Sequence, residues 1–141
     1  MIYSWIEEEK EDLICEQFGV GPGDIYRHVE SAQWLLYAAS VIADLFAFGR
    51  LSFHVESLRK RIHYGIKEEL LELASLRGVG RVRARSMFKK GLKTYEDLKK
   101  ISVDDLSDIP AIGKSLAKEI IKQVSSPVRK KRAAILESAL E

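Results

Sequence analysis

The sequence holds one cysteine, Cys15, in 141 residues. A single thiol forbids an intrachain disulfide and leaves no cysteine cluster for a metal. The three histidines, His28, His54 and His63, show no spacing that suggests metal ligands. No apolar run is long enough to cross a membrane. The longest, Trp34 to Phe48, is interrupted by Ser40 and Asp44. The opening Met1-Ile2-Tyr3-Ser4-Trp5-Ile6, followed at once by glutamates, does not read as a secretory leader. No segment alternates apolar and polar residues over the length of a strand, which argues against a sheet. What is present fits a soluble, cytoplasmic protein. Apolar residues make up 46%, enough to bury a core, and charged residues make up 31%. The length gives room for one ordinary domain or two very small ones.

The net charge of +2 conceals a division. Residues 1–56 carry three basic and ten acidic side chains, net −7, whereas residues 57–141 carry 20 basic and 11 acidic, net +9. Within the second part, Arg77 to Lys93 holds seven positive charges and no negative one. A concentrated positive field on a small protein suits a polyanionic partner. The plainer alternative is a solvated helix face, but like charges without acidic neighbours at i,i+4 repel one another.

Apolar spacing predicts helices almost throughout, and hence an all-α fold. A first helix is expected over Tyr3–Phe18, stopped by Gly19-Val20-Gly21-Pro22-Gly23. Asp24 is placed to cap a long helix from Ile25 to Phe48, about 36 Å in length. Gly49 should end it. Phe53–Tyr64 follows, stopped by Gly65, then Ile66–Leu76, Arg81–Lys90, Thr94–Lys99, a turn after Ser102, Lys114–Val124, and a tail after Pro127. The expected organisation is three parts: 1–65, with the long helix; 66–126; and a basic tail, 127–141.

An internal repeat with an offset of 33 residues organises the middle part. Leu73, Leu76, Val79, Gly80, Ala84, Met87 and Phe88 recur as Leu106, Ile109, Ile112, Gly113, Ala117, Ile120 and Ile121. The pattern resembles a tandem helix-hairpin-helix motif. A short helix ends, glycines permit a tight hairpin, and a second helix starts at once. The hairpin N–H groups and the start of the following helix then form an anion site suited to a DNA phosphate, with no sequence information in the contact. The candidate DNA-binding residues are Gly78, Gly80, Arg81, Arg83 and Arg85 in the first copy and Gly113, Lys114 and Lys118 in the second. The second copy has Ala111 where the first glycine is expected, which leaves a weaker phosphate contact or a packing role open for it.

Three enzymatic readings fail. Gly113-Lys114-Ser115 looks like the end of a phosphate-binding loop, but Asp108 stands where the first glycine is needed and no strand precedes it. A hairpin-bearing glycosylase would need a catalytic aspartate downstream, and none follows Asp108. Its lyase relatives place a lysine two residues after the last hairpin glycine, where this chain has Val82 and Ser115. No catalytic constellation and no metal site is read in these residues.

Several stretches together resemble one family. They are Trp5-Ile6-Glu7-Glu8, Ile14-Cys15-Glu16, Phe18 through Asp24, Glu30-Ser31-Ala32-Gln33-Trp34-Leu35, and Tyr64 through Leu71 leading into Gly80-Arg81-Val82-Arg83-Ala84-Arg85. They are similar to the archaeal superfamily-two DNA helicases of the Ski type, the Holliday-junction-migration helicases. The resemblance covers nearly the whole chain but only the C-terminal part of that family, the end of its helical ratchet domain and its terminal helix-hairpin-helix domain. The motor domains and the ATP site of the family have no counterpart here, so the chain reads as a C-terminal portion.

The resemblance implies roles. An arginine and a tryptophan on the long helix would contact the translocating strand, and the matching residues are Arg27 and Trp34. Seven residues turn a helix by about 700°, close to two full turns, so both share a face. A core tryptophan is the alternative for Trp34, since Leu35, Leu36 and Tyr37 crowd it. Arg129, Lys130, Lys131 and Arg132 are candidate DNA contacts, or else a solvated helix end. The full-length parent would use ATP and Mg²⁺, with motor domains in cis, on stalled forks and branched recombination intermediates. This chain alone would need no cofactor and would bind single-stranded and forked DNA. The other reading is a stand-alone adaptor or nuclease-partner module that uses paired hairpins on DNA or protein. RNA is a third partner that phosphate contacts do not distinguish.

Overall fold

The computed structural model describes residues 1–125, so the tail at 127–141 and the candidate contacts Arg129, Lys130, Lys131 and Arg132 lie outside the described residues. Among the described residues every regular element is a helix, and the fold is all-α as expected. The chain divides into two compact units, Met1–Leu71 and a second that begins at Glu72.

The first unit contains α1 (Ile2–Ile6), α2 (Glu11–Phe18), α3 (Pro22–Leu45) and α4 (Gly49–Tyr64). Its core is Trp5, Ile6, Ile14, Ile25, Val29 and Ile62, and α3 packs chiefly on α4. The single helix expected over residues 3–18 is broken. Glu8 takes a left-handed conformation, φ 67°. The glutamates that follow α1 have partners at the far end of the unit. Glu7 accepts from Arg61 Nη2 at 3.4 Å and pairs with Lys67 Nζ at 3.3 Å, and Glu8 Oε1 accepts the backbone N–H of Lys67 at 3.0 Å. Those ties replace the intervening turn of helix.

The long helix starts three residues earlier than expected. Gly21 precedes it, Pro22 occupies its first turn, where a missing N–H costs nothing, and Asp24 sits inside, its carboxylate accepting the Gly21 N–H at 2.9 Å. That bond, helped by the Arg27 charge and opposed by desolvation, holds the Asp24 carboxyl below the usual carboxylate range. The N–H groups of Lys93 and Thr94 do the same to Asp97 at the start of a later helix. A carboxyl with a depressed native pKa contributes stability above its unfolded pKa and loses it as pH falls through the native one. Asp24→Asn is therefore expected to unfold at lower urea than the parent chain at pH 7. The gap between the two should close as pH falls below the ordinary aspartate range, where the native carboxyl protonates.

The other end of α3 also differs from expectation. The left-handed turn falls on Ala47, φ 57°, not on Gly49. Ala47 N–H donates to Asp44 O at 3.0 Å and Phe48 N–H to Ala43 O at 2.8 Å, the paired bonds of a Schellman stop. Gly49 then opens α4. Gly65 stops α4 as expected, with φ 63°.

The helix expected over Ile66–Leu76 is instead a 3₁₀ turn, Glu68–Leu70, at the end of the first unit, followed by the short α5 (Leu71–Ala74) that runs into the second. After it come α6 (Arg81–Lys89), α7 (Tyr95–Lys100), α8 (Val103–Ser107) and α9 (Lys114–Ser125). Thr94 and Ser102 cap α7 and α8, their hydroxyls accepting from the Asp97 and Asp105 N–H groups. The repeat is visible in burial. Leu73, Leu76, Val79, Ala84 and Met87 are buried, and so are Leu106, Ile109, Ile112, Ala117 and Ile120.

Candidate nucleic-acid interface

The chain carries its candidate DNA-binding residues in two sets, one in each unit. In the second unit the two hairpins share one hydrogen-bond pattern. Val79 N–H donates to Leu76 O at 3.1 Å and Ala84 N–H to Gly80 O at 2.9 Å. Thirty-three residues on, Ile112 N–H donates to Ile109 O at 3.0 Å and Ala117 N–H to Gly113 O at 2.9 Å. Gly78 has φ 80° and Ala111 φ 66°. The alanine thus adopts the turn that a glycine would make, at a cost of about 1 kcal/mol for an L residue. Ala111→Gly is expected to raise stability by roughly 0.5 kcal/mol, since a flexible unfolded glycine returns part of that strain, and urea unfolding would show it.

Gly80 and Gly113 precede α6 and α9. At both, no atom lies within 4 Å of the position a Cβ would take. The first N–H groups of a helix have no acceptor within it, which makes such a terminus a general anion site.

The charged side chains are arranged less uniformly than the sequence suggests. Arg85 and Lys93 each stand 5.2 Å from the centroid of the Phe88 ring. Lys114 pairs with Asp104 at 3.2 Å, but both are at least three-quarters exposed, and such a pair is weak. Lys118 is exposed on α9 and, with Arg77, Glu119, Lys122 and Gln123, lines a shallow groove. The Gln123 side chain holds the Arg77 backbone from both sides, accepting its N–H at 2.8 Å and donating to its carbonyl at 3.2 Å. The Arg77 side chain remains 85% exposed. Arg77 and Lys122 were not singled out from the sequence; the i,i+4 spacing of Lys118 and Lys122 was the available signal. Arg81 opens α6. Arg83 is turned onto the backbone: its Nε donates to Ala111 O at 2.7 Å and its Nη1 to Gly78 O at 2.8 Å.

In the first unit Trp34 is 69% exposed, which places it outside the core of that unit. Arg27 is 77% exposed and pairs with Asp24. Both sit on α3, two turns apart. Beyond Trp34 the helix continues to show apolar side chains, including Tyr37, Ile42 and Leu45, and the following turn shows Phe46 and Phe48. Desolvation and the charges of Glu11, Asp12 and Asp24 push the Cys15 thiol up.

Comparison with known proteins agrees with this division. Residues 1–65 match the family model described as archaeal helicase, domain 4. Residues 70–125 match the SAM-like helix-hairpin-helix tandem. The two models match separate stretches of the chain, one on each side of residues 66–69. Among curated proteins it is 43% identical over 124 residues to the ATP-dependent DNA helicase Hel308 of Pyrobaculum calidifontis, 40% over 119 residues to that of Aeropyrum pernix and 38% over 130 residues to that of Pyrococcus abyssi. These matches take in 87%, 84% and 92% of this chain but 18%, 16% and 18% of the relatives. The chain therefore spans less than a fifth of the length of the curated relatives it matches. No described helix is long and apolar enough to cross a membrane.

Proposed function

We propose that this chain is the DNA-binding part of an ATP-dependent 3′–5′ DNA helicase and that it grips single-stranded DNA without reading its sequence. The observation that carries the reading is the repeated hairpin. Two copies with different loop residues make the same bonds, both leave the ground before the next helix open, and the first lies in the basic stretch Arg77–Lys93. Arg81, Arg85, Lys114 and Lys118 would hold phosphates beside the hairpin N–H groups, a contact that positions without specifying. Trp34 would stack on a base of the same class of strand, and Arg27 would release Asp24 to take a phosphate. In the parent, motor domains in cis would hydrolyse ATP with Mg²⁺ and draw in the 3′ tail of a stalled fork or branched recombination intermediate. The α3 helix would act as a ratchet and the hairpins as a brake on the emerging strand. The setting would be the cytoplasm, at the nucleoid.

Competition binding tests this reading. A labelled fork with a 3′ tail is displaced from the chain by unlabelled single strands, duplex and RNA of equal length. The expected result is that single strands of unrelated sequence compete equally and better than duplex. Strong dependence on sequence would contradict it, and RNA competing as well as DNA would place the parent among RNA-acting enzymes. The exposed apolar side chains at the end of α3 favour a second reading, a protein-contacting adaptor module. Failure of the labelled fork itself to bind would leave that one standing.

A further inference from the structure

Arg83 is one of three arginines that the sequence offers as DNA contacts, yet two of its donors are used within the protein. Its acceptors, Gly78 O and Ala111 O, belong to the left-handed residues of the two hairpins, 33 positions apart. The internal repeat gives this contact a mate. Thirty-three residues after Arg83 stands Leu116, and Leu116 Cδ1 lies 2.7 Å from where a Cβ on Gly78 would be. Each copy therefore sends the residue five past its own left-handed position onto the left-handed residue of the other copy, Leu116 onto Gly78 and Arg83 onto Ala111. The leucine fills the volume of a missing Cβ and so requires glycine at 78. The arginine reaches a carbonyl and leaves Ala111 its methyl group. This accounts for the one departure of the second copy from the motif.

We propose that Arg83 is a positioning residue that fixes the two hairpin turns at one spacing, so that both engage the same DNA strand, and that it is not itself a phosphate contact. The proposal rests on the reading that the hairpins hold phosphates. The rigid guanidinium fork carries its charge and its donors in fixed directions and so can bridge two backbone carbonyls; a lysine ammonium at the end of a flexible stem does not reproduce that bridge. A fixed spacing turns engagement of the second hairpin into an intramolecular event with a high effective concentration.

The test uses the whole chain with two thymidine oligonucleotides, a 4-mer that reaches one hairpin and a 15-mer that reaches both. In the parent chain without DNA, the Arg83 Nε–H resonance should be protected from solvent exchange, and it should move little when the 15-mer is added, while those of Arg81 and Arg85 move. Arg83→Gln and Arg83→Lys should each weaken 15-mer binding about tenfold, part of the gain from linked sites. Both should leave 4-mer binding within twofold. Restoration of 15-mer binding by lysine, equal losses on both oligonucleotides, or an Arg83 resonance that shifts with those of Arg81 and Arg85 would overturn the proposal. If the variants do not fold, the resonances of the parent chain still decide. If the parent chain binds neither oligonucleotide, the phosphate reading fails and this proposal with it, whereas a protected Nε–H in the free chain would still report the clamp as packing.

Discussion

Gly65→Ala is expected to destabilise the first unit by about 3 kcal/mol or more, the sum of a left-handed alanine and an overpacked neighbour. The glycine ends α4 with φ 63°, and a Cβ there would stand 2.5 Å from Trp5 Cε2 and 2.8 Å from Trp5 Cζ2. The indole has no cheap retreat. Trp5 is buried, and its Nε1 donates to Ile62 O at 2.8 Å, so a shift would unmake a buried hydrogen bond. Gly19 supplies the control. It has nearly the same φ, 64°, with nothing within 4 Å of a Cβ, so Gly19→Ala should cost only about 1 kcal/mol of backbone strain. Urea unfolding of the two variants separates the terms. Equal losses would mean that Trp5 yields freely and that its seat against the end of α4 is soft.

Trp34→Ala should leave stability within about 0.5 kcal/mol of the parent chain, as expected for an exposed side chain away from any cap or core contact. It should weaken single-strand binding by about 1–3 kcal/mol, the worth of one stacked base, or roughly 5- to 150-fold. The chain has two tryptophans, of which Trp5 is buried and Trp34 exposed. DNA should therefore quench only part of the tryptophan emission, and Trp34→Ala should abolish the quench. In the ATP-dependent helicase proposed as the parent, the same substitution should uncouple ATP hydrolysis from unwinding. A loss of stability with unchanged DNA binding would return Trp34 to a packing role, and unchanged unwinding would remove the ratchet from the account.

The repeat was legible in the sequence because it is a burial pattern. Five of its position pairs are core residues in both copies, and a fixed offset of 33 survives any error in helix boundaries. Gly65 was legible as a stop for a related reason, since its left-handed φ is local. Where the reading missed, the deciding partner is distant or the local rule had two solutions. The break at Glu8 depends on Lys67, 59 residues away. Asp24 can cap a helix from outside or bind back to Gly21 from inside, and both use the same residue types. The stop after α3 fell to Ala47 although Gly49 was two residues on, because the paired bonds to Asp44 and Ala43 set the position.

The candidate site was legible in part. The hairpin glycines and the basic stretch follow from composition and spacing. Trp34 was undecided in sequence because Leu35, Leu36 and Tyr37 surround it; in the structure only Leu36 of these packs against the core. Arg83 looked like its neighbours because a charge pattern carries no information about backbone carbonyls brought near by folding. Arg77 and Lys122 were overlooked because they meet only when the end of α9 returns to the first hairpin.

The central claim is that the hairpins hold a nucleic-acid backbone by its phosphates, and the salt dependence of binding tests it most directly. Fluorescence anisotropy of the chain with a labelled single strand, over a salt series, gives the slope of log affinity against log salt. Five contacts, from Arg81, Arg85, Lys114 and Lys118 at the hairpins and Arg27 on α3, predict a slope of about −3.5, at roughly −0.7 for each phosphate neutralised on a single strand. Arg81→Ala with Arg85→Ala should flatten it by about 1.4. Trp34→Ala should lower the affinity and leave the slope unchanged. Binding whose slope is the same with and without the two arginines would contradict the account.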